Sequence, residues 1–169
     1  MSKRILFVIK GMMNITEFLE KVDNTPFDSL DQILSVPLNA ADWVNRSDPI
    51  SFSRQRVHLT PSGQVEVMVL TWPPGYSTLP HDHAQYGCWL KVLQGSLTES
   101  RYGLNLHKTQ VNTLEAGQSS FMCNDFGYHS IANTTNQPAY SLHLYSPPYY
   151  KSVTVEVKNI DSFFYEPFK

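Results

Sequence analysis

A chain of 169 residues, 41% hydrophobic and 12% aromatic, is long enough to bury one sizeable core, so a single domain over residues 1–169 is the expectation. Its formal charge of −2 carries neither the basic footprint of a nucleic-acid binder nor a polybasic membrane patch. Two cysteines, Cys88 and Cys123, are too few for a disulfide-stapled secreted scaffold, and a cytoplasmic, reducing setting is expected.

The chain opens with a short apolar run, residues 5–9, that stops at Lys10. It is shorter than a secretory core or a membrane span, and no small-residue cleavage site follows. Met12 and Met13 would each make a natural start, so residues 1–11 read as a dispensable extension. Ile15, Phe18, Leu19 and Val22 recur at i, i+3, i+4 and i+7 and predict a helix, with Asn14 or Thr16 as its cap. Phe27, Leu30, Ile33 and Leu34 repeat the pattern until Pro37 ends it, and residues 39–44 could add a third short helix. After Pro49 the pattern changes to β. Strands are expected at 65–72, 88–94, 96–102, 111–114, 119–123, 129–132, 140–145 and 153–157. Turn signals such as Gly95-Ser96, Gly117-Gln118 and Ser146-Pro147-Pro148 separate them. Many short strands at close spacing mean an all-β sandwich or barrel, with the helices packed at its N-terminal side. The expected division is a helical part at 1–48 and a β-barrel at 49–169.

Within this framework the most informative stretch is His81-Asp82-His83. On a strand, residues i and i+2 share a face, so His81 and His83 would project together with Asp82 opposite. Two imidazoles so fixed are two metal ligands aimed at one spot, and a third, His129, opens a strand-like segment of its own. A lone histidine is more often a hydrogen-bonded core or surface residue, and His58 and His107 are assigned nothing on that ground. Ser141, His143 and Tyr145 alternate with Leu142 and Leu144, so three polar groups share one strand face; the plain alternative is a solvent-facing polar strand face. Three neutral imidazoles without a carboxylate would leave Fe(II) its full charge, which suits a substrate that brings its own anion. Zn(II) also accepts three histidines, so ligand type alone does not select iron.

The spacing Gly75-x5-His81-x-His83-x4-Cys88-x6-Gly95 resembles the first motif of the cupin superfamily, with Cys88 where those proteins usually carry Glu. His129-x3-Asn133 is similar to the end of the second cupin motif, although Gly127 stands one residue closer to the histidine than the pattern asks. More narrowly, residues 81–95 resemble the metal-binding core of the cysteine dioxygenase family. Residues 141–148, Ser-Leu-His-Leu-Tyr-Ser-Pro-Pro, resemble that family's second signature.

The resemblance implies an all-β-dominated, jelly-roll-like cupin barrel with short N-terminal helices. It implies Fe(II) held by His81, His83 and His129, L-cysteine bound through thiolate and amine, and both atoms of O2 added to sulfur to give cysteine sulfinate. Cys88 and Tyr145 correspond to a pair joined by a thioether, and Ser141, His143 and Tyr145 to a relay. Arg54 matches the substrate carboxylate's partner, Trp72 an aromatic near the pocket, and Ser146-Pro147 a bond often cis. The partners are then a small thiol and O2, with neither nucleic acid nor membrane, and the protein is expected to be a monomer. Three departures stand out: Phe52 where a Tyr is common, a shorter stretch between Pro148 and Val153, and Gln55 beside Arg54. Relatives acting on 3-mercaptopropionate use Gln in place of that Arg, so that substrate is the alternative. A non-catalytic metal-binding cupin and a Zn isomerase or hydrolase are the readings from other classes.

Overall fold

The computed structural model describes residues 11–44 and 51–157. The apolar run at 5–9 and the expected 48/49 boundary lie outside them.

Helix α1 (Ile15–Asp23) forms where the i, i+3, i+4 spacing predicts it, and Asn14 is its cap. The Asn14 side chain accepts from the Glu17 N–H at 3.0 Å while the Glu17 carboxylate accepts from the Asn14 N–H, a reciprocal capping box. The second expected helix is broken: a 3-10 turn (Phe27–Ser29) is followed by the single turn α2 (Asp31–Leu34). The third is only a 3-10 turn (Ala40–Asp42). Pro26 and Pro37 bracket the second segment too closely for a long helix, so its form is set by packing.

Among the described residues eight antiparallel strands follow: β1 (Ser53–Leu59), β2 (Glu66–Trp72), β3 (Gly87–Gln94), β4 (Ser96–Tyr102), β5 (Lys108–Glu115), β6 (Ser119–Met122), β7 (Tyr128–Ala132) and β8 (Ala139–Ser146). They make a five-stranded sheet, β1-β2-β8-β3-β6, and a three-stranded sheet, β5-β4-β7. The expected jelly-roll-like β architecture is present, as a pair of sheets not closed into a barrel. The expected strand at 153–157 is also absent. Its one ladder contact is an isolated bridge from Thr154 to His81, too little pairing to make a strand. β1, by contrast, carries no strand signal in its own residues, because its Ser-Arg-Gln-Arg start is polar and exposed.

Alternation on the five-stranded sheet sorts its residues into two cores. Val67 and Val69 of β2 and Leu142 and Leu144 of β8 pack with Phe18, Leu30, Leu34 and Trp43 of the N-terminal helices. On the opposite face Leu70, Trp72, Leu90 and Val92 meet Leu97, Leu114 and Ile131 of the other sheet. Burial on both faces explains why these strands read as near-continuous apolar runs. Lys91 breaks that run, buried on the helix side. Its ammonium donates to the Leu34 carbonyl at the end of α2 (2.5 Å) and to Gly117 O (2.8 Å), which offsets its desolvation. Burial nonetheless lowers its pKa. Gly95, at φ +79° between β3 and β4, sits where a Cβ would come within 2.9 Å of Ala139 Cβ. No helix among the described residues is long and apolar enough to cross a membrane.

Candidate metal centre and its cavity

His81 and His83 precede β3 in an extended segment, not on a strand as expected. The segment is nevertheless held on every side. His81 exchanges backbone hydrogen bonds with His129 of β7 at 3.0 and 3.4 Å, and Asp82 donates its N–H to Val153 O. His83 is clamped through its backbone by the Asn124 amide, which accepts from its N–H (2.7 Å) and donates to its carbonyl (2.9 Å). The i, i+2 geometry therefore survives without a ladder. The potential ligand atoms of His81, His83 and His129 all lie within 4.8 Å of one another.

The hydrogen bonds assign the ring nitrogens. His81 Nδ1 meets Leu79 O at 2.9 Å and His129 Nδ1 meets Glu99 Oε1 at 2.8 Å, so in each ring Nε2 remains. His83 has no hydrogen-bond partner at either ring nitrogen although both are buried. An unsatisfied buried imidazole is costly, and a divalent first-row metal shared by the three rings would give one of the His83 nitrogens a partner. Burial foremost, and then His129, hold His81 down at about 4 and His83 lower still. Both rings are thus neutral donors at ordinary pH, as ligation requires.

The anchor of His129 begins at Gly127, whose position in the motif is one residue off the cupin pattern. At φ +97° a Cβ there would lie 2.2 Å from Tyr102 O, so the chain passes β4 in contact before entering β7. Behind His129 the carboxylate of Glu99 is fully buried; Arg101 Nε donates to it at 3.0 Å and Ser120 Oγ at 3.0 Å. Burial raises the Glu99 pKa, but His129 and Arg101 together outweigh that and hold it at about 2.

The three histidines open on a cavity of about 330 Å³ that also takes Cys88, His143, Tyr145 and Arg54 into its wall. Apolar wall is supplied by Leu70, Trp72 and Ile131, and by Phe52, whose ring stacks on Tyr76 at 4.4 Å. Arg54, an exposed residue, has its Cζ 5.5 Å from the Tyr145 ring centroid, whereas Gln55 does not line the cavity. Ser141, His143 and Tyr145 share the inner face of β8. Ser141 Oγ is 2.9 Å from His143 Nε2, and Tyr145 Oη is 3.2 Å from His143 Nδ1. Trp72 extends the chain by donating its indole N–H to Ser141 Oγ at 2.7 Å. Cys88 lies directly across the β3–β8 ladder from Tyr145, its Sγ 3.6 Å from His143 Nδ1. Burial pushes the Cys88 thiol up to about 12. Burial and then Cys88 raise the Tyr145 phenol well above its ordinary value, so both are protonated. Burial foremost keeps His143 neutral.

The stretch after Pro148 closes one rim. Tyr150 donates its hydroxyl to Asp82, which also accepts from the Val153 N–H at 2.6 Å, so Ser152 and Thr154 reach the cavity wall. The Ser146–Pro147 bond is cis. His58 pairs with Asp23 at 2.7 Å, away from the cavity.

Sequence reasoning missed Glu99, Arg101, Tyr76 and the Asp82–Tyr150 rim. For Glu99 a signal existed: Leu97 and Glu99 fall on one face of β4, setting a carboxylate beside an apolar residue aimed at the core.

Comparisons agree with this architecture. A family model described as cysteine dioxygenase type I matches residues 9–156. Cysteine dioxygenase type 1 of Rattus norvegicus is 32% identical over 120 residues, covering 66% of this chain and 60% of the relative. The Danio rerio protein of the same name is 33% identical over 121 residues, with the same coverage. The chain thus spans about three-fifths of the curated relatives it matches. Among solved structures, a Klebsiella pneumoniae protein with a double-stranded β-helix domain aligns with a TM-score of 0.53 at 20% identity, over 69% of this chain and 94% of its own. A cupin superfamily protein of Desulfitobacterium hafniense aligns at 0.50 and 14%, over 65% and 89%. At such identities these two speak for the fold alone, the cupin double-stranded β-helix. The family match is of another order: its span, residues 9–156, takes in α1, the three-histidine cluster, β8 and the rim of the cavity, and by it the chain belongs to the cysteine dioxygenase type I family.

Proposed function

We propose that this chain is a non-haem Fe(II) dioxygenase that converts L-cysteine and O2 to cysteine sulfinic acid. The observation that carries the reading is convergence: three histidines, a phenol relay and one guanidinium meet at a single cavity. His81, His83 and His129 would hold the iron. When bound, the iron supplies open positions for the substrate thiolate and amine and passes electrons to O2.

The chain's own groups do the rest. Arg54 at the rim is placed to take the substrate carboxylate through a charge-assisted pair. Ser141 Oγ accepts the Trp72 N–H, and its own proton has His143 Nε2 as its acceptor. His143 is then protonated on Nδ1 and donates to Tyr145 Oη, with Cys88 Sγ also in reach. The phenol proton is thereby left to the cavity, where Tyr145 can stabilise charge developing on oxygen. Trp72, Leu70 and Phe52 keep the space around the sulfur apolar.

Aerobic turnover would join Cys88 Sγ to the Tyr145 ring carbon ortho to the hydroxyl. The pair loses the thiol hydrogen and one ring hydrogen, and O2 takes up the two electrons and two protons. The protein is read as one domain, monomeric and cytoplasmic. Supporting one domain, the helices share a core with the five-stranded sheet.

The alternative substrate, 3-mercaptopropionate, would be favoured by Gln55 in the pocket; the alternation of β1 gives that place to Arg54. The test is O2 uptake and sulfinate formation by anaerobically Fe(II)-loaded protein given each thiol separately. One O2 consumed per cysteine sulfinate is expected. Sulfinate from 3-mercaptopropionate alone would transfer the assignment, and no sulfinate from either thiol would refute it.

A further inference from the structure

We infer that Glu99 is a positioning residue of the metal centre: its carboxylate fixes His129 with Nε2 towards the metal and sets a negative charge one hydrogen bond away. This rests on the three-histidine part of the proposed function and not on its substrate.

The three rings are supported unequally. His83 has no partner at either nitrogen, His81 has the neutral Leu79 carbonyl, and His129 has a carboxylate at 2.8 Å. The other acid beside the ligands, Asp82, spends itself on Tyr150 and the Val153 N–H. Glu99 is therefore the carboxylate that reaches a metal-ligating ring among the described residues. It does so from a fixed position. Arg101 Nε donates to Oε2 at 3.0 Å, on the side away from His129, and Ser120 Oγ lies 3.0 Å from both oxygens. Arg101 Nη2 in turn donates to Ser120 Oγ (2.7 Å) and Phe121 O (2.9 Å). Because Arg101 is on β4 and Ser120 on β6, the network ties the three-stranded sheet to the five-stranded one behind the metal ligands. A ring held by such a carboxylate keeps one tautomer and becomes a stronger donor, so His129 is the dominant protein ligand of the three.

The test is Glu99→Gln, which keeps shape but removes the charge and turns an N–H2 towards Arg101 or His129, both donors. Co(II) affinity, measured by chelator competition alongside urea unfolding, should fall by about 10- to 100-fold. A folded E99Q protein that binds Co(II) as tightly as the wild type would overturn the inference. Should E99Q not fold, zinc-loaded wild-type protein still decides by 15N–1H spectroscopy. The Nδ1 proton of His129 should then be the furthest downfield and the slowest to exchange of the three ligands, and three equivalent protons would overturn it. Wild-type protein that binds Co(II) in a Glu99-dependent way yet oxidises no thiol would sink the substrate reading and leave this one standing.

Discussion

Arg54 illustrates how one side chain can carry specificity without being buried. It stands exposed at the cavity rim, in contact with the Met68 sulfur at 3.8 Å and the face of Tyr145. No carboxylate of the chain pairs with it among the described residues, so its guanidinium is available to an incoming anion. Removing it should therefore cost the substrate carboxylate a charge-assisted bond worth ~1.5–3 kcal/mol, roughly a 10- to 150-fold loss in kcat/KM. Arg54→Ala should show that loss with L-cysteine and much less with cysteamine, which has no carboxylate. Equal losses on both thiols, measured as sulfinate and hypotaurine formation, would make Arg54 a structural residue.

At the scale of elements, β8 does most of the work, since its outer face holds the helices while its inner face carries the relay. Its register with β3 sets Cys88 opposite Tyr145, and this pairing is what a cross-link needs. Aerobic turnover should convert part of the protein to a form lighter by two hydrogens that resists thiol reductants. Cys88→Ser should lack that form yet keep partial activity, because the three histidines remain. Free Cys88 and free Tyr145 found by peptide mass spectrometry after prolonged turnover would refute the link. The alternation of Ser141, His143 and Tyr145 was readable in the sequence because the neighbouring leucines leave no other face for them. The histidine pair was readable for a less direct reason: i, i+2 spacing works in any extended chain, and here Asn124 and His129 replace the ladder that was expected. What the sequence hid were partners distant along the chain. Trp72 reaches Ser141 across 69 positions and Tyr150 reaches Asp82 across 68, and no local pattern reports such pairs. The polar start of β1 was hidden too, because an exposed edge strand lacks the apolar alternation that marks a strand.

The molecule as a whole stores a pH dependence in this architecture. His81, His83 and His143 all sit in the interior with burial as the chief force keeping them neutral, His81 down at about 4, His83 lower still and His143 well below its ordinary value. In the unfolded chain each would titrate near 6.5. The sign follows: below pH 6.5 the unfolded state takes up protons that the folded state refuses, so the stability these rings contribute is complete above 6.5. It is lost as pH falls towards about 4 and below, at about 1.4 kcal/mol per pH unit for each ring fully protonated when unfolded. Glu99, held at about 2, works in the same direction only below the ordinary carboxylate range, so the histidine window comes first. A divalent metal that binds the folded state adds to its stability, and His81 above pH 4 presents no proton to displace. The urea midpoint of metal-free protein should therefore fall steadily from pH 6.5 to pH 4.5, and His143→Phe should make that fall shallower by one ring's share. A midpoint that stays level across the window would mean that the buried rings are already protonated in the fold, and the neutral ligands His81 and His83 would be lost with it.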